Sequence, residues 1–70
     1  MRNKLVVPTI VDALKKDGAL ELEDLYKLVQ NLLGEVDMCF FEETLMDLEI
    51  QGLIRVLNTT KDRRRIELSK

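Results

Sequence analysis

The chain has no histidine, and its 70 residues include one cysteine, one proline and three glycines. Without histidine, no side chain ordinarily titrates near neutral pH for general acid–base catalysis. One cysteine cannot form an internal disulfide, and zinc-ligand spacings need clustered histidine and cysteine. We therefore expect no metal and no other cofactor. A lone cysteine also fits a reducing compartment, the cytoplasm or the nucleoid.

Long apolar runs are missing as well. The segment before Pro8 is too short for the apolar core of a signal peptide, and no stretch approaches the ~18 apolar residues of a membrane span. The glycines stand where helices or turns should end, so no loop is suited to cradling a phosphate. No nucleophile stands beside a base. These absences favour a non-secreted, non-enzymatic protein that binds another macromolecule.

The charges are distributed unevenly, although the net charge is only −2. Residues 1–16 hold four bases and one acid, residues 17–51 hold one base and ten acids, and residues 52–70 hold six bases and two acids. Both ends are basic and the middle is strongly acidic. This asymmetry is the clearest indication of function in the composition.

Hydrophobic spacing predicts three helices, over residues 8–17, 22–33 and 37–51. Pro8 suits a first helical turn, Asp37 suits a helix N-cap, and glycines 18, 34 and 52 suit helix ends. The second helix has a predicted buried stripe of Leu22, Leu25, Leu28, Val29 and Leu32. The third has a predicted inner stripe of Met38, Phe41, Leu45 and Leu48. A short strand is expected near residues 19–21.

After Gly52 the hydrophobic period changes from helical to alternating. The pattern predicts strands over residues 53–57 and 64–68, joined by a turn at 58–62. Alternation directs Ile54, Val56, Ile66 and Leu68 towards the core, and places Arg63, Arg65 and Glu67 on the outer face. The expected fold is therefore α+β, one domain of three helices followed by a β-hairpin.

This order of elements resembles the winged helix-turn-helix superfamily over nearly the whole chain. Two local patterns carry the resemblance: the turn Gly34-Glu35-Val36-Asp37 with Phe41 and Leu45 after it, and residues 45–54, which are similar to the end of the third helix and the first wing strand. Residues 62–69 also resemble the wing of the multiple-antibiotic-resistance group of repressors. That resemblance implies that Arg63 meets the DNA backbone or minor groove. Repressors of that group dimerise through long helices at both ends, and these 70 residues contain neither.

Two functions remain open at this point. The superfamily usually places its third helix in the DNA major groove, and a basic hairpin can lie on phosphates or in a minor groove. The residues expected to bind double-stranded DNA, with weak sequence specificity, are Arg55, Lys61, Arg63, Arg64 and Arg65, joined by Lys4. However, residues 37–51 contain no lysine or arginine, so the third helix is a poor reader of the groove.

The alternative is protein–protein contact or self-assembly through the outer face of the third helix. The residues expected there are Phe40, Glu43, Met46, Asp47 and Ile50. Two simpler interpretations stay open beside these functions: the apolar members could be ordinary core, and the arginines could pair with the acidic middle of the chain. A homodimer also stays open, because several apolar residues could be exposed: Leu5, Val6, Val7, Phe40 and Ile50.

Overall fold

The computed structural model describes residues 4–60 and 63–69. Within them the chain forms three helices, α1 (Val6–Asp17), α2 (Leu22–Leu33) and α3 (Met38–Ile50), and three strands, β1 (Ala19–Glu21), β2 (Ile54–Thr60) and β3 (Arg63–Leu68). The strands form one antiparallel sheet in the order β1–β3–β2. The expected α+β class, with three helices, a C-terminal hairpin and a short third strand, is confirmed. None of the described helices is long and apolar enough to cross a membrane.

Helix α1 begins at Val6, two residues before the predicted start at Pro8. A proline is tolerated throughout the first turn, since its missing N–H has no partner there in any case. The early start buries Val6 completely, which corrects the expectation that it is exposed, whereas Leu5 and Val7 do remain exposed. The helix ends at Gly18, whose φ of 82° favours glycine and whose N–H donates to the Leu14 carbonyl at 2.8 Å.

Helix α2 has its predicted bounds, and four members of its predicted stripe are buried or pack against the core: Leu22, Leu25, Leu28 and Val29. Leu25 and Val29 are fully buried, and Leu33 packs against the core. Leu32 is 66% exposed, so its placement in the stripe was wrong. Leu32 lies at the edge of the buried face, in the wall of a shallow groove between α2 and the C-terminal end of α1. The α1 side of this groove consists largely of lysine and aspartate side chains, which do not bury Leu32.

The turn into α3 is fixed by three contacts. The Asp37 carboxylate accepts a hydrogen bond from the Phe40 backbone N–H at 3.1 Å, as expected of an N-cap. The Tyr26 hydroxyl donates to the Val36 carbonyl, and the Tyr26 ring packs against Phe41 with centroids 5.0 Å apart. Because Val36 is itself buried, these contacts hold α2 and the start of α3 in one arrangement.

The hairpin follows the predicted alternation but is longer than expected. Ile54 and Ile66 are buried, and Val56 and Leu68 pack against the core from its edge. Strand β2 continues to residue 60, so residues 58–60 belong to the strand and not to the predicted turn. The register shifts between residues 58 and 60, as at a β-bulge. The remaining turn residues, Lys61 and Asp62, lie outside the described part of the chain.

Candidate interaction surfaces on α3 and the hairpin

The buried side of α3 is narrow. Phe41, Leu45 and Leu48 are between 0% and 4% exposed and pack into the core. Thr44 is also buried, and its hydroxyl donates to the Phe40 carbonyl at 2.8 Å. Met38 was expected on this side but is 36% exposed, because it stands in the first turn, beside the hairpin arginines and beyond the core.

The opposite side of α3 presents four residues that we call the outer row: Cys39, Glu43, Met46 and Ile50. They recur at intervals of four, three and four positions, which places them along one face of a helix with 3.6 residues per turn. All four are exposed, Met46 by 61% and Ile50 by 77%. The interpretation of Met46 and Ile50 as ordinary core residues was therefore wrong.

Acidic side chains flank the outer row. Glu42 and Glu49 lie on the side of α3 that faces the hairpin, and Asp47 lies on the other side; all three are exposed. Phe40 had been expected on the outer face, but it is half-buried and packs against the core. Phe40 follows Cys39 of the row by one residue and lies on the side of α3 that faces α1. The exposed surface of α3 thus combines large apolar groups with negative charge.

A groove of about 340 Å³ runs between α1 and α3 beside the outer row. Its walls include Lys4, Val7, Phe40, Asp47 and Leu53. Lys4 had been expected to extend the basic surface of the hairpin. Instead it lies at the start of α1 beside α3, and it does not line the grooves to which Arg63, Arg64 and Arg65 contribute.

The hairpin arginines lie against acids of the same chain. Arg55 is 3.2 Å from Glu67, on the neighbouring strand and directly opposite in the register. Arg63 reaches Glu21 of β1 at 3.3 Å. Both pairs lie on the outer face of the sheet, as alternation requires. The Arg63 contact agrees with the expectation that the arginines pair with the acidic middle of the chain, whereas Arg55 pairs within the hairpin.

Arg64 points the other way from its neighbours and reaches α3. Its guanidinium lies 3.2 Å from the Glu42 carboxylate, and both side chains are nearly half exposed. Arg65 is exposed and forms no ion pair with any described residue, although it lines a surface groove with Glu21 and Asp24. Lys61, the remaining predicted DNA contact, lies outside the described residues. The structure therefore separates the arginines, which the sequence treated as one cluster.

Sequence reasoning missed Glu21 and Glu42 as arginine partners and missed the regular spacing of the outer row. The spacing was visible in the sequence, but it becomes informative only once the buried side of α3 is known. Across residues 4–60 and 63–69, no group of histidine, cysteine, aspartate and glutamate side chains could hold a metal ion. Comparison of the chain with protein-family models, with curated proteins and with solved structures found no significant match.

Proposed function

We propose that the chain is a non-enzymatic winged-helix module that binds a partner protein through the outer row of α3. One observation carries the proposal: Met46 and Ile50, two large apolar side chains one turn apart, are 61% and 77% exposed on the helix that such folds use for recognition. Single exposed apolar residues are ordinary, but a contiguous apolar surface rimmed by charge is typical of an interface.

The arrangement of elements supports the winged-helix assignment. Three helices precede a β-hairpin, and β1 adds a third strand to the edge of β3. Helix α3 follows α2 after a short turn of residues 34–37, as a second helix-turn-helix element would. On this assignment β2 and β3 form the wing, and the outer row lies where the superfamily meets its ligand.

The charge of α3 favours a protein over DNA as that ligand. Most DNA-binding free energy comes from cations that neutralise phosphates, and no lysine or arginine stands between residues 37 and 51. The acids beside the outer row would face the phosphates of a major groove. Arg63 and Arg64 lie close to the carboxylates of Glu21 and Glu42, which reduces the positive potential that the wing offers to a duplex.

A second candidate function rests on Arg65. It is exposed, it stands on β3 beside two other arginines, and it forms no ion pair with any described residue. A wing of this kind can contact phosphates without reading bases. We accordingly propose weak, strongly salt-dependent binding to duplex DNA as the alternative role. Both roles suit a reducing compartment such as the cytoplasm, where the exposed thiol of Cys39 stays free.

Photo-crosslinking tests the proposed function directly. A photoreactive amino acid is placed at Met46 in one variant and at Leu32 in a second, since these apolar residues are 61% and 66% exposed on different helices. After irradiation in the cells that make the protein, we expect one adduct of defined mass from position 46 and none from position 32. The protein in that adduct is then purified, and its affinity for the unmodified domain is measured.

We expect the affinity to fall about tenfold or more for Ile50→Glu, because the most exposed apolar side chain of the row is lost. The affinity should stay unchanged for Leu32→Glu. A random-sequence DNA duplex is titrated in parallel at low and at physiological salt, with Arg65→Glu as the control for the wing. Absence of an adduct at position 46, together with DNA binding that disappears in Arg65→Glu, would replace the proposed function with the DNA-binding alternative.

A further inference from the structure

We infer that the partner presents an amphipathic helix flanked by lysine or arginine, and that this helix lies along the outer row of α3. The inference rests on the proposed function and deepens it, since it specifies the chemistry of the partner. Three observations carry it: the spacing of the outer row, the sign of the charges on both sides of it, and the position of the hairpin arginines.

The spacing of the outer row is that of a helix-to-helix contact. Cys39, Glu43, Met46 and Ile50 follow one another at intervals of four, three and four residues, the a/d spacing of a heptad pattern. Every face of an α-helix has this spacing, and a second helix that packs at a shallow angle can follow it along the whole row. The row covers residues 39–50, which corresponds to about 17 Å of helix at 1.5 Å per residue.

The positions beside the row determine which helix fits. In heptad numbering, Cys39 and Met46 are d positions, and Glu43 and Ile50 are a positions. The flanking e and g positions of α3 are then Phe40, Glu42, Asp47 and Glu49. Three of these four are acids, but Glu42 already lies 3.2 Å from Arg64. Asp47 and Glu49 are therefore the carboxylates that select a partner by opposite charge. A partner helix therefore needs lysine or arginine at its own e and g positions.

The same charges argue against a second copy of this chain as the occupant. Two α3 helices packed along their outer rows would bring acids against acids, because residues 37–51 contain five acids and no base. Like charges in such a contact cost free energy. The wing of a second copy offers fewer cations than its sequence indicates, because Arg63 and Arg64 already lie within 3.3 Å of Glu21 and Glu42 and only Arg65 of the three β3 arginines forms no ion pair with a described residue.

Two designed peptides test the inference. Both are stapled helices of about 16 residues, long enough to span the row, with leucine at the a and d positions. One carries lysine at every e and g position and the other carries glutamate. We expect the lysine peptide to shift backbone amide resonances of α3 in the isotopically labelled domain and the glutamate peptide to shift none. Affinity should fall as salt is raised, because part of it comes from charge attraction.

Cys39 supplies a second readout at the proposed site. It is exposed and is the single cysteine of the chain, so its rate of reaction with a maleimide reports coverage of the outer row without any substitution. The lysine peptide should slow the reaction in proportion to its occupancy of the domain. Binding that leaves the reaction rate of Cys39 unchanged would place the peptide elsewhere and overturn the inference.

Paired substitutions at Ile50 separate charge from shape. Ile50→Glu removes the apolar contact but keeps the attraction for lysine, whereas Ile50→Lys removes the contact and adds repulsion. We expect Ile50→Lys to weaken the lysine peptide at least about tenfold more than Ile50→Glu does, a difference near 1.4 kcal/mol. Leu32→Lys, a matched change of an exposed apolar residue on α2, should have no effect.

The outcomes separate this inference from the proposed function. Equal binding of both peptides, or of neither, overturns the basic-helix partner, whereas a crosslinked protein at position 46 would still support protein binding. A concentration-dependent dimer that Ile50→Lys strengthens would also overturn it, because the occupant would then be a second copy that gains from a cation among the acids.

Discussion

Two nearby residues of α3, Leu48 and Ile50, should differ greatly in their response to the same substitution: alanine at Leu48 should destabilise the domain, and alanine at Ile50 should not. Leu48 is 2% exposed and Ile50 is 77% exposed. Leu48→Ala removes buried methyl and methylene groups and leaves a cavity, which costs ~2–5 kcal/mol. For Ile50, full burial would contribute ~1.5–3 kcal/mol, and the buried quarter of the side chain contributes roughly 0.4–0.7 kcal/mol on that scale.

The helix propensity of alanine offsets most of that small loss. Alanine exceeds isoleucine by roughly 0.4 kcal/mol in a helix, so Ile50→Ala should change the free energy of unfolding by less than ~0.5 kcal/mol. For Leu48→Ala the predicted loss approaches the whole stability of a domain this small, which is ~3–5 kcal/mol. We therefore expect Leu48→Ala to be largely unfolded at 25 °C and Ile50→Ala to resemble the unchanged protein.

Urea denaturation followed by circular dichroism measures both effects. Sucrose, added equally to all samples, strengthens apolar burial and keeps Leu48→Ala folded enough for a transition to be fitted. Equal losses in the two variants would mean that α3 is rotated from the described orientation, and both proposals based on the outer row would fall with it. A loss for Ile50→Ala that grows with protein concentration would reveal self-association through α3.

Three further substitutions test single contacts. Tyr26→Phe removes the hydrogen bond to the Val36 carbonyl and should cost ~0.5–1.5 kcal/mol in urea denaturation; no change would mean that the hydroxyl does not hold the turn. Asp37→Ala removes the N-cap of α3 and should cost ~0.5–2 kcal/mol, lowering the thermal midpoint; an unchanged midpoint would contradict the cap. Since the Arg64–Glu42 pair is nearly half exposed, a double-mutant cycle should give a coupling below ~1 kcal/mol. Glu42→Gln should also raise affinity for a DNA duplex at low salt, because Arg64 is released, and an unchanged affinity would remove Arg64 from the DNA-binding alternative.

The features of this fold that the sequence predicted are those that follow from the spacing of its hydrophobic residues. The change from helical to alternating spacing after Gly52 correctly indicated the hairpin, and the inward placement of Ile54 and Ile66 followed from it. The errors lie at the ends of helices. Val6 is buried and Leu32 is exposed because burial in a terminal turn depends on whether another element reaches it, and spacing along one helix carries no information about that.

The pairing of charges that are distant in the sequence could not be predicted from the sequence. The sequence showed excess acid in the middle of the chain and excess base at its end, but not which carboxylate meets which arginine. Glu21 becomes available to Arg63 only because β1 adds to β3 in a register that sets Glu21 opposite Arg65. A slip of one residue would turn the Glu21 side chain to the other face of the sheet. Such contacts require the register, which local sequence does not specify.

These ion pairs bear on how a basic hairpin is interpreted. Five cations between residues 55 and 65 suggest a phosphate-binding surface when only the sequence is considered. Neighbouring carboxylates reduce the field that such a surface projects, and DNA would have to compete with them. Met46 and Ile50 already face solvent, so a partner protein need not displace core contacts to reach them. Covering these two side chains with a partner would remove apolar area from water without breaking any described ion pair of the hairpin. This difference supports the proposal that α3 binds a partner protein and not DNA.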